Sequence, residues 1–170
     1  MHHGFSLSWS NDCLVQDWRI EAPHRHGTTV SWAAHGNVFS RGFGFELACD
    51  AHRAVPFENL HTELVIAQRA LPARPFRSGG KRGRGLHAAR SNVYWNVRFE
   101  FSQAAPEQVS IEGFSEWPRA VFRGWRGNRA LLMRAAPGLA QSLGELNVTP
   151  RIANLYEHQR AASRRPLERR

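Results

Sequence analysis

A seven-residue stretch that occurs twice is the feature of this sequence that most restricts its fold. Residues 3–9 read HGFSLSW, and residues 26–32, which begin 23 positions later, read HGTTVSW. A repeat of about 20 to 25 residues is typical of a solenoid, in which each unit buries its apolar face only against its neighbours. Apolar and hydroxyl side chains alternate with a period of two, which indicates strands. We therefore expect a coil of parallel strands, and a β-sandwich with strands of similar composition is the alternative.

A second repeated feature supports the coil. A polar turn residue precedes an apolar run four times, at Asp12, Asn37, Asn59 and Asn92, with spacings of 25, 22 and 33 residues. Asn and Asp tolerate the left-handed conformation that turns a strand sharply. The matching aliphatic positions of the preceding strands are Leu7, Val30, Leu47 and Leu86. The sequence thus predicts an all-β fold, a parallel β-helix of about four to five coils over residues 1–134.

Two segments depart from the repeat. Residues 68–85 are rich in Gly, Pro and basic side chains, including Lys81, and predict an inserted loop that either lies over a groove or is simply solvated. Residues 135–170 predict a linker, a short helix starting near Asn154 and a polar tail. The chain enters its first repeat with neither a capping element nor a secretory signal. We therefore expect it to lack its N-terminal coils and to be a fragment of a longer solenoid.

The charge favours an anionic partner. The formal net charge is +9, yet 22 of the 23 basic residues are Arg, which suggests coding bias more than selection for phosphate. No nucleic-acid-binding motif accompanies the charge, so we expect no nucleic-acid partner. Cys13 and Cys49 lie within apolar runs and are expected to be buried thiols without a disulfide or metal. No apolar run approaches membrane-spanning length.

Several segments resemble one known family. They are residues 50–53 (DAHR), 56–60 (PFENL), 78–80 (SGG), 85–89 (GLHAA), 95–98 (WNVR) and 155–159 (LYEHQ). In these segments the chain resembles a largely uncharacterised family of secreted, right-handed parallel β-helix proteins of the pectate-lyase-like superfamily. The resemblance implies a right-handed coil, a secreted or periplasmic location, and lyase or hydrolase action on an acidic polysaccharide. A non-catalytic glycan-binding or surface-adhesion β-helix is the alternative.

A polar cluster in the third coil could support such chemistry. A lyase needs a base that removes the proton α to a uronate carboxyl and a cation that stabilises the enolate. We expect His52 or His87 to be the base, because strands of adjacent coils lie about 4.8 Å apart and can converge on one sugar. Asp50 and Glu58 would bind Ca²⁺, or would act as the acid and base of a hydrolase. Alternatively, Asp50 merely caps a corner.

The expected substrate-binding residues surround this cluster. They are Arg53, His61, Lys81, Arg90, Trp117 and Trp125. Arg53 and Arg90 would hold carboxylates, and the two tryptophans are expected to be exposed for stacking on sugar. Arg53 could instead be an internal partner of Glu58. Trp9 and Trp32 are expected in the core, and His3 and His26 as a stacked ladder rather than as metal ligands.

Overall fold

The computed structural model describes residues 2–69, 71, 73–78, 90–102, 104–112, 119–134 and 143–164. Within them the chain forms the strands β1 (His3–Ser8), β2 (Leu14–Ile20), β3 (His26–Ser31), β4 (Val38–Phe45), β5 (Cys49–His52), β6 (Leu60–Gln68), β7 (Phe76–Ser78), β8 (Val93–Phe101), β9 (Gln108–Ile111), β10 (Val121–Gly127), β11 (Ala130–Met133) and β12 (Leu143–Leu146), and the helix α1 (Leu155–Ser163). None of the described helical residues forms a segment long and apolar enough to cross a membrane.

The strands form three sheets in which every described pairing is parallel. The first sheet has the order β1-β3-β5-β7, the second β12-β10-β8-β6-β4-β2, and the third β11-β9. From β1 to β8 the chain alternates between the first and the second sheet, so neighbours within a sheet are never consecutive in sequence. Hairpins, on which an antiparallel sandwich depends, do not occur among these strands. The prediction of a mostly β fold with parallel strands is confirmed, and the arrangement is compatible with a solenoid.

The repeated stretches lie side by side in register. His3 pairs with His26 and Leu7 with Val30. The rings of Trp9 and Trp32 stack with centroids 5.5 Å apart, and those of His3 and His26 with centroids 4.8 Å apart. The predicted histidine stack is therefore confirmed. On β5 the next position of the aliphatic row is Ala51, so the assignment of Leu47 was wrong, and Leu86 lies outside the described residues.

Buried asparagines connect the starts of β4, β6 and β8. The side-chain oxygen of Asn59 accepts from the Asn37 backbone amide at 3.2 Å, and that of Asn92 accepts from the Asn59 amide at 2.9 Å. At the first corner the position equivalent to these asparagines is Cys13, not Asp12. The Cys13 carbonyl accepts from the Val38 amide, just as the Asn37 carbonyl accepts from the Leu60 amide. The ladder was predicted correctly apart from this shift by one residue.

The strands of the second sheet all bend at one aligned position. The residues there have left-handed backbone conformation, with φ from 49° to 66°: Asp17, Arg41, Glu63, Asn96, Gly124 and Glu145. Before the bend, one register row places an aromatic ladder in the core, formed by Phe39, His61, Tyr94 and Phe122. Their rings stack at centroid separations of 4.7, 4.7 and 5.2 Å.

The C-terminal segment packs along this bend. Asn154 caps α1, where its side-chain oxygen accepts from the Glu157 amide at 3.1 Å, and its amide nitrogen donates to Glu63 at 2.8 Å. Glu157 also forms an ion pair with Arg41 at 2.9 Å. The predicted short helix is thereby confirmed. The segment predicted as a linker instead contains β12, which extends the second sheet beside β10.

Candidate functional site

Polar and ring side chains line the outer face of the first sheet, around a cavity of about 140 Å³. We call this surface the histidine face and define it as His2, His3, His26, Asp50, His52 and Arg53. Its members come from β1 and the residue before it, from β3 and β5, and from the segment that follows β5. Three neighbouring strands thus contribute histidines to one small surface.

A β-bulge brings His26 onto this face. The amides of Gly27 and Thr28 both donate to the carbonyl of Ala48, at 2.9 and 3.0 Å. Two residues opposite one partner interrupt the alternation of the strand. As a result His26 lines the cavity together with Thr29, whereas Thr28 contacts the core. A Cβ at Gly27 would lie 2.5 Å from the side chain of Leu47, so glycine is needed here.

Two histidines converge on one carboxylate. Nδ1 of His26 lies 2.7 Å from Oδ2 of Asp50, and Nδ1 of His52 lies 3.2 Å from the same oxygen. Asp50 and His52 reach one face because they are two positions apart on β5. The carboxylate is buried, while the side chains of His26 and His52 are 15% and 16% exposed and so remain accessible from solvent.

The environment favours the neutral form of His26 and His3. Burial, reinforced by the neighbouring His3 and His52, lowers the pKa of His26 to about 4. Burial also lowers the pKa of His3, with smaller contributions from His2 and Arg53. A neutral imidazole has a lone pair that can take up a proton or bind a metal ion. The face therefore offers basic nitrogen atoms near neutral pH.

A tryptophan pair and an arginine flank the histidines. Trp9 is 73% exposed, and Trp32 stacks on it. The guanidinium of Arg53 lies 5.6 Å from the ring centre of Trp32. The expectation that Trp9 lies in the core was wrong, because both tryptophans have φ of 54° just after their strands, where the alternation of the strand ends.

The expected cluster of residues 50–61 is divided among three places. Asp50, His52 and Arg53 belong to the histidine face. Glu58 and Arg90 line a separate cavity of about 400 Å³. His61 is only 1% exposed, so its assignment to substrate binding was wrong. Its ring is stacked within the aromatic ladder, where Nε2 lies 3.3 Å from the hydroxyl of Thr28, and burial lowers its pKa to about 3.

One of the two tryptophans that we expected to be exposed is buried. Trp125 is fully buried, and its ring nitrogen donates to the carbonyl of Tyr94 at 3.1 Å, so it belongs to the core and was wrongly expected to be exposed. The left-handed Gly124 directly before it, with φ of 66°, interrupts the alternation of β10, so that Phe122 and Trp125 both point inward. Lys81, His87 and Trp117 lie outside the described residues. The tryptophan that the described part of the chain exposes is Trp9, which stacks on the half-buried Trp32.

A larger cavity, of about 510 Å³, lies on the outer face of the second sheet. Its charged groups are already paired with each other. Arg41 contacts Asp17 at 2.6 Å, and Arg98 contacts Glu100 at 2.8 Å. Because ion pairs engage these groups, this cavity is a solvated groove that is less suited to bind a ligand or to catalyse a reaction than the histidine face.

The donor set at Asp50 does not fit the expected Ca²⁺. Calcium prefers six to eight oxygen ligands, whereas Asp50 is accompanied by two imidazoles and Glu58 lines another cavity. His26 was not among the expected site residues. Its signal in the sequence was the repeated His-Gly pair, because a glycine within a strand marks a bulge or a close approach of the backbone.

The chain was compared with family models, with curated proteins and with solved structures. No family model, no curated protein and no solved structure matches it. The function must therefore be inferred from the geometry of the histidine face.

Proposed function

We propose that this chain is a right-handed parallel β-helix protein, similar to the pectate-lyase-like superfamily, that binds an acidic polysaccharide and cleaves it by elimination. The observation that carries the proposal is the convergence of His26, Asp50 and His52 beside the stacked pair of Trp9 and Trp32. Such a protein acts on material outside the cytoplasm, so a secreted or periplasmic location is part of the proposal.

The flanking residues suit an acidic sugar. Aromatic faces pack against the apolar C–H surface of a sugar ring, and an exposed tryptophan provides a large apolar face. A guanidinium binds a carboxylate through two parallel hydrogen bonds. Arg53 is near Trp32, so one uronate could contact both groups. The cationic surface also attracts a polyanion from a distance.

His52 is the proposed base. Nδ1 of His52 lies 3.2 Å from Oδ2 of Asp50, and in the tautomer that carries its proton on Nδ1 the neutral ring has its lone pair on Nε2. Nε2 removes the proton from the carbon α to the uronate carboxyl. The electron pair of that C–H bond forms a double bond to the next carbon, the bond from this carbon to the glycosidic oxygen breaks, and the oxygen leaves with a proton from water. Arg53 stabilises the negative charge that develops on the carboxyl group.

Two other functions receive less support. Hydrolysis by Asp50 and Glu58 requires both carboxyl groups on one bond, whereas Glu58 lines a cavity that Asp50 does not line. Glycan binding without cleavage is favoured by one specific observation, the 73% exposure of Trp9. It is the second candidate function.

The test incubates the protein with polygalacturonate, alginate and a glycosaminoglycan, and follows unsaturated uronate by absorbance and new reducing ends by assay. We expect unsaturated product from one of them and at least a hundredfold loss of turnover in His52→Ala. The matched control is His35→Ala, which removes a histidine stacked on Phe57 at another corner. Reducing ends without unsaturated product would support hydrolysis. Glycan binding without either product, weakened by Trp9→Ala, would support the second candidate.

A further inference from the structure

The atoms at the centre of the histidine face have the arrangement of a metal site. One ligand atom from each of His26, Asp50 and His52 lies within 4.8 Å of the other two. They come from two adjacent parallel strands, which hold them on a rigid sheet. Binding an ion here would need no rearrangement of the backbone.

The separations are close to those of metal ligands. Donor atoms at about 2.0–2.1 Å from a tetrahedral Zn²⁺ lie about 3.3 Å from each other. The distance from His52 Nδ1 to Asp50 Oδ2 is 3.2 Å. The distance from His26 Nδ1 to the same oxygen, 2.7 Å, must increase by about 0.6 Å. A small rotation of the partly exposed His26 ring would provide this increase.

The chemistry of the donors selects the class of ion. Two imidazole nitrogens and one carboxylate oxygen suit Zn²⁺ and other divalent transition ions. Calcium and magnesium prefer sets of oxygen ligands, which this site lacks. The carboxylate of Asp50 also contributes the negative charge that a cation requires beside neutral rings.

We propose that His26, Asp50 and His52 form a binding site for a divalent transition-metal ion of the Zn²⁺ type. Three protein ligands leave a fourth position open, as in catalytic zinc sites, and the adjoining cavity of about 140 Å³ gives water or a ligand access to it. A competing set, formed by His2, His3 and His26, shares one ligand with this site. It lacks a carboxylate, and two of its members are exposed, so it is the weaker set.

The site does not depend on the proposed polysaccharide chemistry. If the metal site and the elimination chemistry are both correct, His52 cannot bind the ion and act as the base at the same time. An ion on Nδ1 of His52 leaves the proton of the neutral ring on Nε2, and this nitrogen can then no longer act as the base. The ion would therefore inhibit elimination, and a chelator would increase turnover, contrary to a lyase that requires Ca²⁺.

The test uses the whole chain after treatment with a chelator. Zn²⁺ is titrated by calorimetry, and Co²⁺ by its visible absorption, which reports a tetrahedral site. We expect one ion per chain, and at least tenfold weaker binding in His52→Ala and in Asp50→Asn. His35→Ala is the control and should bind as the unchanged protein does, and His3→Ala tests the competing set. Circular dichroism of each variant verifies that it is folded.

Three results would overturn the metal site. They are no binding of Zn²⁺ or Co²⁺ by the folded protein, binding that His52→Ala leaves unchanged, and binding that only His3→Ala removes. The last would place the ion on the competing set. If Zn²⁺ binds as expected while no polysaccharide is cleaved with or without chelator, the metal site stands and the proposed function fails.

Discussion

Replacing His61 with phenylalanine should make the protein more resistant to acid. His61 occupies one position of a buried aromatic ladder, with Phe39 on one side and Tyr94 on the other. Phenylalanine has a similar shape, so His61→Phe keeps the stack. The substitution removes the 3.3 Å contact with Thr28, but it also removes the buried Nδ1 of His61, which has no hydrogen-bond partner among the described residues. Near neutral pH the free energy of unfolding should therefore change by no more than about 1.5 kcal/mol.

The effect of acid follows from the pKa of His61. Burial lowers this pKa from 6.5 to about 3. Below about pH 6.5 the unfolded chain takes up a proton at His61 that the folded chain rejects, so stability is complete above this pH and decreases as the pH falls toward 3. Each pH unit corresponds to about 1.4 kcal/mol, so the loss reaches about 3 kcal/mol near pH 4.5. The variant lacks this loss.

The measurement is urea denaturation followed by tryptophan fluorescence, at several pH values between about 7.5 and 4.5. As the pH falls over this range, the unchanged protein should lose about 3 kcal/mol of unfolding free energy that His61→Phe retains. The variant should therefore become more stable relative to the unchanged protein by this amount. Tyr94→Phe is the matched control. Burial raises the pKa of Tyr94 well above its usual 10, so this variant should keep the pH profile of the unchanged protein. If the unfolding free energies of His61→Phe and of the unchanged protein depended on pH in the same way, the burial of His61 and its lowered pKa would be refuted.

Three further outcomes follow from the contacts. Asn59→Ala should cost about 3 kcal/mol in urea denaturation, because it leaves the buried amide of Asn37 without its acceptor; an unchanged midpoint would contradict the ladder. Asn154→Ala removes the cap of α1 and should cost about 1 kcal/mol, with faster hydrogen exchange of the helix amides, and unaltered exchange would count against docking through the cap. Trp9→Ala should leave stability within about 0.5 kcal/mol, since the ring is 73% exposed, and should weaken binding of acidic glycans about tenfold; unweakened binding would exclude glycan stacking on Trp9.

The sequence predicted the features that depend on local repetition. The matching HGFSLSW and HGTTVSW stretches indicated that β1 and β3 would pair in parallel, and they do. The asparagine spacing indicated the ladder of Asn37, Asn59 and Asn92. Such features can be predicted because parallel strands that pair in register place similar residues side by side. The pattern of one strand therefore predicts the pattern of its neighbour. Asp50, His52 and Arg53 were also identified as site residues before their geometry was known.

The errors arose where side-chain direction depends on the backbone. Trp125 and His61 look like binding residues in sequence, yet β10 and β6 turn them inward. Trp9 looks like core, yet a left-handed residue at the end of β1 turns it outward. Spacing alone does not reveal such reversals, because a single bulge or left-handed residue exchanges the inner and outer faces.

By itself, then, the sequence determined that the strands would pair in parallel and that the segment around Asp50 and His52 would carry polar chemistry. Only the tertiary structure decided which polar groups meet. The bulge at Gly27, shaped by contacts with Leu47 and Ala48 from the segment between β4 and β5, turns His26 toward Asp50. That meeting depends on atoms more than 20 positions apart in the chain, whereas sequence patterns report mainly on neighbours.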